Sequence, residues 1–133
     1  MDNSQPDGNP RGYRRDDQPP PVVTELGWRY HHMGVPTDIP RPDEKYIPQY
    51  RMYVAGFSSS PYGLEWMRFE PDCPLPPIVQ RVPHVAFEVD DLDAALLGRA
   101  VLLPPGCPSE GVRSAMILHN GAPVELLTFG KRK

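Results

Sequence analysis

The chain has 133 residues, which is enough for one compact domain and too few for two domains of ordinary size. Its 14 Lys and Arg against 17 Asp and Glu leave a formal charge of -3, a balance that excludes the strongly basic surface typical of proteins that bind nucleic acid or an anionic membrane. Hydrophobic residues make up 39% of the chain, but no apolar run approaches the roughly 20 residues that span a bilayer.

Residues 1–23 are rich in proline and charged side chains and almost free of apolar residues before Val22. A segment of this composition cannot bury enough apolar surface to offset the entropy lost on ordering, so we predict a disordered tail. The three prolines at 19–21 leave open a polyproline contact with a partner. The same start lacks the apolar core of a secretory signal, which makes the cytoplasm the expected location.

The folded domain is expected to cover residues 24–133, and its first half has short apolar runs separated by turn residues. These runs predict strands over 28–35, 49–57 and 63–69, with the last two forming a hairpin. Prolines 36, 40, 42 and 48 leave room for at most one helical turn after the first strand, so that stretch is predicted to be mostly loop. Residues 71–77, which are again rich in proline, are predicted to link the two halves.

The second half shows clearer periodicity. Alternation of apolar and polar residues over 82–89 predicts a strand with one apolar face. Asp91 is a suitable N-cap for a short helix over 91–97, whose apolar stripe should pack on that face. Strands are then predicted over 100–103, 112–119 and 123–129, with an Asn-Gly hairpin turn between the last two.

A weak duplication relates the two halves. In residue type, HMGV at 32–35 matches HVAF at 84–87, and LEWM at 64–67 matches VELL at 124–127. The two His are 52 residues apart and the two Glu are 60 apart, so the first copy is eight residues shorter between its His and its Glu. The shortfall corresponds roughly to the helix predicted only in the second copy, so the chain reads as two modules.

The segments HVAFEVDDLDAAL and NGAPVELLTF resemble the second module of the vicinal oxygen chelate superfamily, which includes glyoxalase I, extradiol dioxygenases and bleomycin-binding resistance proteins. HHMGVPTD resembles the opening strand of the first module. The resemblance implies an α+β fold in which two βαβββ modules, about residues 28–70 and 82–129, pair into a curved, mostly antiparallel eight-stranded sheet. The first module would lack most of its helix. The resemblance also implies a metal on the concave side, with four candidate ligands: His32, Glu65, His84 and Glu125.

Two imidazoles and two carboxylates suit a divalent ion of zinc, nickel, iron, manganese or cobalt and leave coordination positions for water or substrate. A glutamate that does not bind the ion could move a proton, so Glu65 and Glu125 are also the candidate catalytic residues. Two alternatives stay open. His31 is the inward residue if the strand register differs by one, and Glu70 lies close to Glu65 along the chain.

The expected function is that of a glyoxalase-like, metal-dependent enzyme, either a lyase or isomerase or a ring-opening dioxygenase. Its substrate would be a small oxygen-rich carbonyl or hydroxylated compound. The alternative is a metal-free protein of the same fold that sequesters a small ligand. Three arginines in predicted strands, at positions 51, 68 and 113, are expected to face outwards, whereas an inward guanidinium would clamp a carboxylate or phosphate. We expect no nucleic-acid or membrane partner, and a homodimer is one assembly open to the chain.

Overall fold

A computed structural model describes residues 16–130 of the chain. Within that range, no helix has the length and apolar character needed to cross a membrane. The strands, in chain order, are β1 (Arg29–Pro36), β2 (Lys45–Ile47), β3 (Met52–Ala55), β4 (Leu64–Phe69), β5 (His84–Glu88), β6 (Val101–Ser109), β7 (Val112–His119) and β8 (Ala122–Phe129). They form one curled, eight-stranded sheet in the order β2-β3-β4-β1-β5-β8-β7-β6.

The sheet consists of two modules with the same strand order. In each module the first strand pairs in parallel with the fourth, and the remaining neighbours are antiparallel. The modules join where β1 pairs antiparallel with β5. Helix α3 (Leu92–Leu96) connects β5 to β6, whereas a loop over 37–44 connects β1 to β2. The predicted α+β fold, with two paired modules of which the first lacks most of its helix, is therefore confirmed.

Helix α3 packs on one side of the sheet, which we call the helix face. The Asp91 side chain accepts a hydrogen bond of 3.0 Å from the backbone N–H of Ala94, so it caps the helix as its sequence indicates. A helix this short is marginal in isolation and depends on packing. Its Leu92 and Ala95 supply that packing in a buried cluster with Val89 of the adjoining segment and with residues of β7 and β8.

The opposite side of the sheet, the cavity face, carries a second apolar cluster made by β3, β4, β7 and the connection between the modules. This connection is not only a linker, because helix α2 (Pro77–Arg81) starts there. Proline is well suited to the first position of a helix, where its missing N–H has no partner to lose. Val79 of α2 is almost completely buried in the cluster.

The two proline-rich edges of the sheet contain strand residues that the sequence did not predict. The stretch predicted to be loop contains β2, a three-residue edge strand. The strand predicted over 100–103 extends to Ser109 as β6, at the other edge of the sheet, with register shifts along its pairing with β7. Edge strands tolerate proline because one side of such a strand has no neighbouring strand, so N–H groups on that side donate no hydrogen bonds within the sheet. Both edges of the sheet therefore contain more strand than the positions of the prolines predict.

The predicted tail over 1–23 lies mostly outside the described residues. Its last residues belong to α1 (Pro21–Thr24), whose Val22 packs against the helix-face cluster. The backbone N–H of Trp28 donates to the carbonyl of Val22 at 2.9 Å. Contacts of the domain therefore begin before residue 24.

Cys73 and Cys107 are both free thiols.

Candidate functional site

Two rows of residues cross the central strands on the cavity face. In the first row, Glu65 of β4 lies opposite Gly34 of β1, which in turn lies opposite His84 of β5. Directly opposed residues point to the same side of a sheet. With only a hydrogen atom at Gly34, no side chain separates Glu65 from His84 along this row.

The second row has the same construction, shifted by two residues. His32 of β1 lies opposite Ala86 of β5, which lies opposite Glu125 of β8. The small middle residue again leaves the flanking imidazole and carboxylate room to approach. In the repeat, Ala86 is the counterpart of the glycine in the first row, since each follows its module's His by two positions. The two rows bring all four predicted ligands to one place.

Glu125 lies between the two imidazoles. Its Oε1 is 3.2 Å from Nε2 of His32 and 3.0 Å from Nε2 of His84, and both rings are buried. One potential ligand atom from each of the three residues can be chosen so that all lie within 4.8 Å of one another. Oε1 of Glu65 lies 3.6 Å from Nε2 of His32, at the edge of this group.

The electrostatics separate the two glutamates. Burial by itself would raise the pKa of Glu125, but hydrogen bonds with His32 and His84, together with their charges, outweigh it and lower the pKa to about 2. Burial raises the pKa of Glu65 above its usual 4.5, with a contribution from the negative charge of Glu125. For His32, burial opposes the charged ring, and the hydrogen bond and charge of Glu125 raise the pKa above 6.5.

His31 also lines the cavity, which strict strand alternation does not predict. The pairing of β1 with β5 shifts register between Tyr30 and His32, so the strand bulges at His31 and adjacent imidazoles reach the same side. The Nδ1 atoms of His31 and His32 are 2.8 Å apart, and the His31 ring stacks on Phe57 with a centroid distance of 5.0 Å. The two histidines are therefore not alternatives, because both belong to the site.

The other polar candidates lie elsewhere. Glu70 does not line the cavity, and it accepts a hydrogen bond of 2.6 Å from the hydroxyl of Tyr46. The three arginines predicted to lie in strands pair with acidic residues away from the cavity, as expected, although Arg51 lies in the turn before β3. Arg51 pairs with Asp72 at 2.8 Å, Arg68 with both carboxylate oxygens of Glu44 at 2.7 Å, and Arg113 with Asp93 at 3.0 Å.

The cavity has a volume of about 460 Å³, within the range of small-molecule sites. Its walls are largely apolar and come from both modules and from the connection between them, with Met52, Phe57, Val79, Met116 and Leu127 among them. The role of Val79 was not predicted, although the Pro-Pro pair before Ile78 indicates the start of a helix. Leu127 lies two positions after Glu125 in β8, so it is on the same side of the sheet and forms part of the apolar wall beside the acid.

The donor set fits a divalent transition metal. Imidazole nitrogen and carboxylate oxygen are the ligands that such ions take at about 2.0–2.2 Å, which puts neighbouring ligand atoms about 3–3.5 Å apart. The distances from Glu125 to the two imidazoles lie in that range. The two imidazoles of this donor set differ in their second nitrogen. Nδ1 of His84 is buried and has no hydrogen-bond partner among residues 16–130.

Comparison with known proteins provides information on the fold. No known protein family matches the sequence, and no curated protein matches it. Among solved structures, the chain is similar to the crystal structure of a hypothetical protein from Bacillus halodurans, with a TM-score of 0.51 and 14% identity over 86% of this chain and 85% of that one. At this identity the similarity shows the fold alone, and the curled eight-stranded sheet is consistent with the vicinal oxygen chelate fold.

Proposed function

We propose that the chain is a small metal-dependent enzyme of the glyoxalase-like kind, which binds an oxygen-rich carbonyl or hydroxylated compound in the cavity. The observation that carries this proposal is the convergence of two buried imidazoles and Glu125 from three strands. His32, His84 and Glu125 would hold the divalent ion, with Glu65 beside them. When bound, such an ion polarises a substrate oxygen as a Lewis acid.

The two glutamates would have different tasks. Glu125, with a pKa lowered to about 2 between the two rings, stays ionised and is a weak proton acceptor, which suits a ligand. Glu65 has a raised pKa because it is buried, and it contacts only one of the imidazoles. A carboxylate of this kind accepts a proton more readily near neutral pH. Glu65 would therefore take a proton from carbon next to a substrate carbonyl, which favours lyase or isomerase chemistry.

The cavity wall supports a substrate with an apolar body. Arg51, Arg68 and Arg113, which could have clamped a phosphate or carboxylate, all pair with acidic residues outside the cavity. Among the described residues, Lys45 is the only permanently charged cation that lines it, and it is exposed. Burying an anionic group against apolar walls is costly without a paired charge. We therefore expect an uncharged or weakly charged compound whose oxygens lie toward the His and Glu cluster.

Metal uptake is the first test. The full chain, stripped with a chelator, is titrated with Zn²⁺, Ni²⁺, Mn²⁺, Co²⁺ and, without oxygen, Fe²⁺. We expect one ion per chain in the unchanged protein and none in His84→Ala or Glu125→Ala. His119→Ala is the matched control, because it removes an exposed His that does not line the cavity. Folded protein that takes up no ion would instead support the metal-free ligand-binding alternative.

Proton transfer is tested separately, without knowledge of the complete reaction. Small α-hydroxycarbonyl and dicarbonyl compounds are incubated in D₂O with the loaded protein, and deuterium entering the carbon next to the carbonyl is followed by NMR. We expect exchange that disappears in Glu65→Gln while the ion is still bound. Oxygen consumption by the iron-loaded protein with a hydroxylated aromatic compound, and no deuterium exchange with the carbonyl compounds, would favour the dioxygenase reaction instead.

A further inference from the structure

His31 and His32 form a contact that the proposed ligand set does not include. Their Nδ1 atoms are 2.8 Å apart, a hydrogen-bond distance, while Nε2 of His32 is directed toward Glu125 at 3.2 Å and Glu65 at 3.6 Å. The two nitrogens of the His32 ring therefore have different surroundings. One faces the acids, and the other faces a second imidazole.

The chemistry of imidazole connects these two contacts. A neutral ring carries one proton, so a ring that binds an ion through Nε2 must carry its proton on Nδ1. That Nδ1–H needs an acceptor when the ring is buried, and His32 is buried. Nδ1 of His31 is at the right distance to accept it.

We propose that His31 is a positioning residue of the metal site. It accepts the Nδ1 proton of His32 and thereby holds His32 in the tautomer whose Nε2 is free to bind the ion. This inference rests on the proposed function, since it concerns the same centre. Outer partners of this kind fix the orientation of a ligating His and strengthen metal binding by about 10–100-fold.

The surroundings of His31 keep its ring in place for this role. The bulge in β1 brings His31 to the cavity face beside His32. Its ring stacks on Phe57 at an interplanar angle of 18° and lies 5.3 Å from the ring of Phe129. Contacts with two aromatic rings restrict the orientations open to the His31 ring, and in the observed orientation its Nδ1 faces Nδ1 of His32.

His84 provides an internal comparison. Its Nε2 faces Glu125 at 3.0 Å, as that of His32 does, but its Nδ1 has no hydrogen-bond partner within the described part of the chain. The two imidazoles of the proposed centre are therefore unequal. His31 supports only the first of them, and removing it should affect the tautomer of His32 without changing that of His84.

Two variants of His31 test the inference, with Zn²⁺ as the probe and the stripped full chain as the sample. His31→Phe keeps an aromatic ring for the stack on Phe57 and removes the acceptor, and we expect Zn²⁺ affinity to fall about 10–100-fold. His31→Asn keeps an amide oxygen near the position of Nδ1, and we expect its affinity to lie much closer to that of the unchanged chain. Equal affinity of the Phe variant and the unchanged chain would overturn the role of His31.

A second measurement does not depend on whether either variant folds. Long-range ¹H–¹⁵N correlation spectra of the unchanged chain loaded with Zn²⁺ report which nitrogen of each ring carries the proton. We expect His32 to be protonated at Nδ1 and His31 to be unprotonated at Nδ1, and a proton on Nδ1 of His31 would overturn the inference. If the unchanged chain binds no Zn²⁺ at all, the proposed function fails together with the inference, whereas uptake with the wrong tautomer defeats the inference alone.

Discussion

Gly34 leaves the space that the imidazole ring of His84 occupies. A Cβ atom at position 34 would lie 2.2 Å from Cε1 of His84 and 2.7 Å and 2.8 Å from its Nδ1 and Nε2. The counterpart residue in the second module, Ala86, keeps its Cβ and is fully buried beside His32. The two rows therefore differ in how closely each imidazole approaches the neighbouring strand. The His84 ring lies directly over Gly34 of β1, whereas the His32 ring leaves room for the methyl group of Ala86 on β5.

The first prediction concerns Gly34→Ala. The backbone at this position does not require glycine, and the three atoms nearest to an added Cβ all belong to the His84 ring, so the methyl group would displace that ring. Overpacking of this kind costs about 1–3 kcal/mol of unfolding free energy. We expect urea unfolding of the metal-free protein to show that loss, and Zn²⁺ titration to show weakened binding because the displaced ring no longer meets Glu125.

Gly106→Ala is the matched control for this substitution. Gly106 also lies in a strand with an ordinary backbone conformation, and an added Cβ would meet only the hydroxyl of Tyr50, at 3.4 Å. We expect it to leave Zn²⁺ affinity unchanged. If Gly34→Ala behaves like this control in both measurements, the close approach of His84 to β1 is wrong.

The second prediction ranks the two glutamates as metal ligands. Glu125 contacts both imidazoles, whereas Glu65 contacts only His32 and at a longer distance. Glu125→Gln should therefore reduce Zn²⁺ affinity by more than the roughly 100-fold that loss of an outer partner can cost, and Glu65→Gln by less than this. Isothermal titration with Zn²⁺ compares the two variants, in each of which an amide replaces a carboxylate on the same face of the sheet. Equal losses would show that both carboxylates bind the ion alike.

The four candidate ligands could be predicted because the resemblance to the vicinal oxygen chelate superfamily implies them, and the duplication of HMGV with HVAF and of LEWM with VELL puts them at matching positions in the two modules. How the strands pair could not be predicted from these matches, and in the structure each Glu lies opposite the small residue two positions after its module's His. The structure has this pairing in both modules, at Gly34 with Glu65 and at Ala86 with Glu125. Directly opposed residues point to the same side of a sheet, so this pairing brings the four side chains to one face.

The parts that could not be predicted depend on local departures from regular geometry. A bulge shifts side-chain parity by one residue, and nothing in YHHM indicates where it falls, so alternation placed His31 and His32 on opposite faces. Prolines exclude central strands and helix interiors, but they do not exclude edge strands or the first turn of a helix. This is why β2, the extension of β6 and helix α2 were missed while the central strands were found.

The third prediction separates the two faces of the sheet. Leu92 of α3 is 2% exposed and belongs to the helix-face cluster, on the side away from the His and Glu residues. Leu92→Ala should cost about 2–5 kcal/mol of unfolding free energy, measured in urea, and leave Zn²⁺ affinity unchanged under conditions where the variant is folded. Leu97→Ala, at a residue 76% exposed, should change the unfolding free energy by no more than about 0.5 kcal/mol. A marked loss of metal affinity in Leu92→Ala would mean that the two faces are coupled.

The fourth prediction concerns the pH dependence of the metal-free protein. The pKa of Glu125 falls from 4.5 to about 2 on folding, so its contribution to stability is present above pH 4.5 and is lost as the pH falls toward 2. The difference between these values corresponds to roughly 3 kcal/mol. The pKa of His32 is raised on folding, so the contribution of the same ion pair is complete below pH 6.5 and is lost as the pH rises through the raised value.

The ion pair between Glu125 and His32 therefore stabilises the fold most between about pH 4.5 and 6.5. Glu65 partly offsets this contribution, because its pKa is raised on folding and the folded chain then loses stability as the pH rises above 4.5. Urea unfolding of the unchanged chain and of Glu125→Gln, followed from pH 3 to pH 8 by tryptophan fluorescence, isolates the pair. We expect the difference in unfolding free energy between the two proteins to be largest in the middle of this range and to shrink toward both ends. A difference that stays constant across the range would mean that Glu125 is held by packing and neutral hydrogen bonds, and that the charge of the two imidazoles has no part in keeping it ionised.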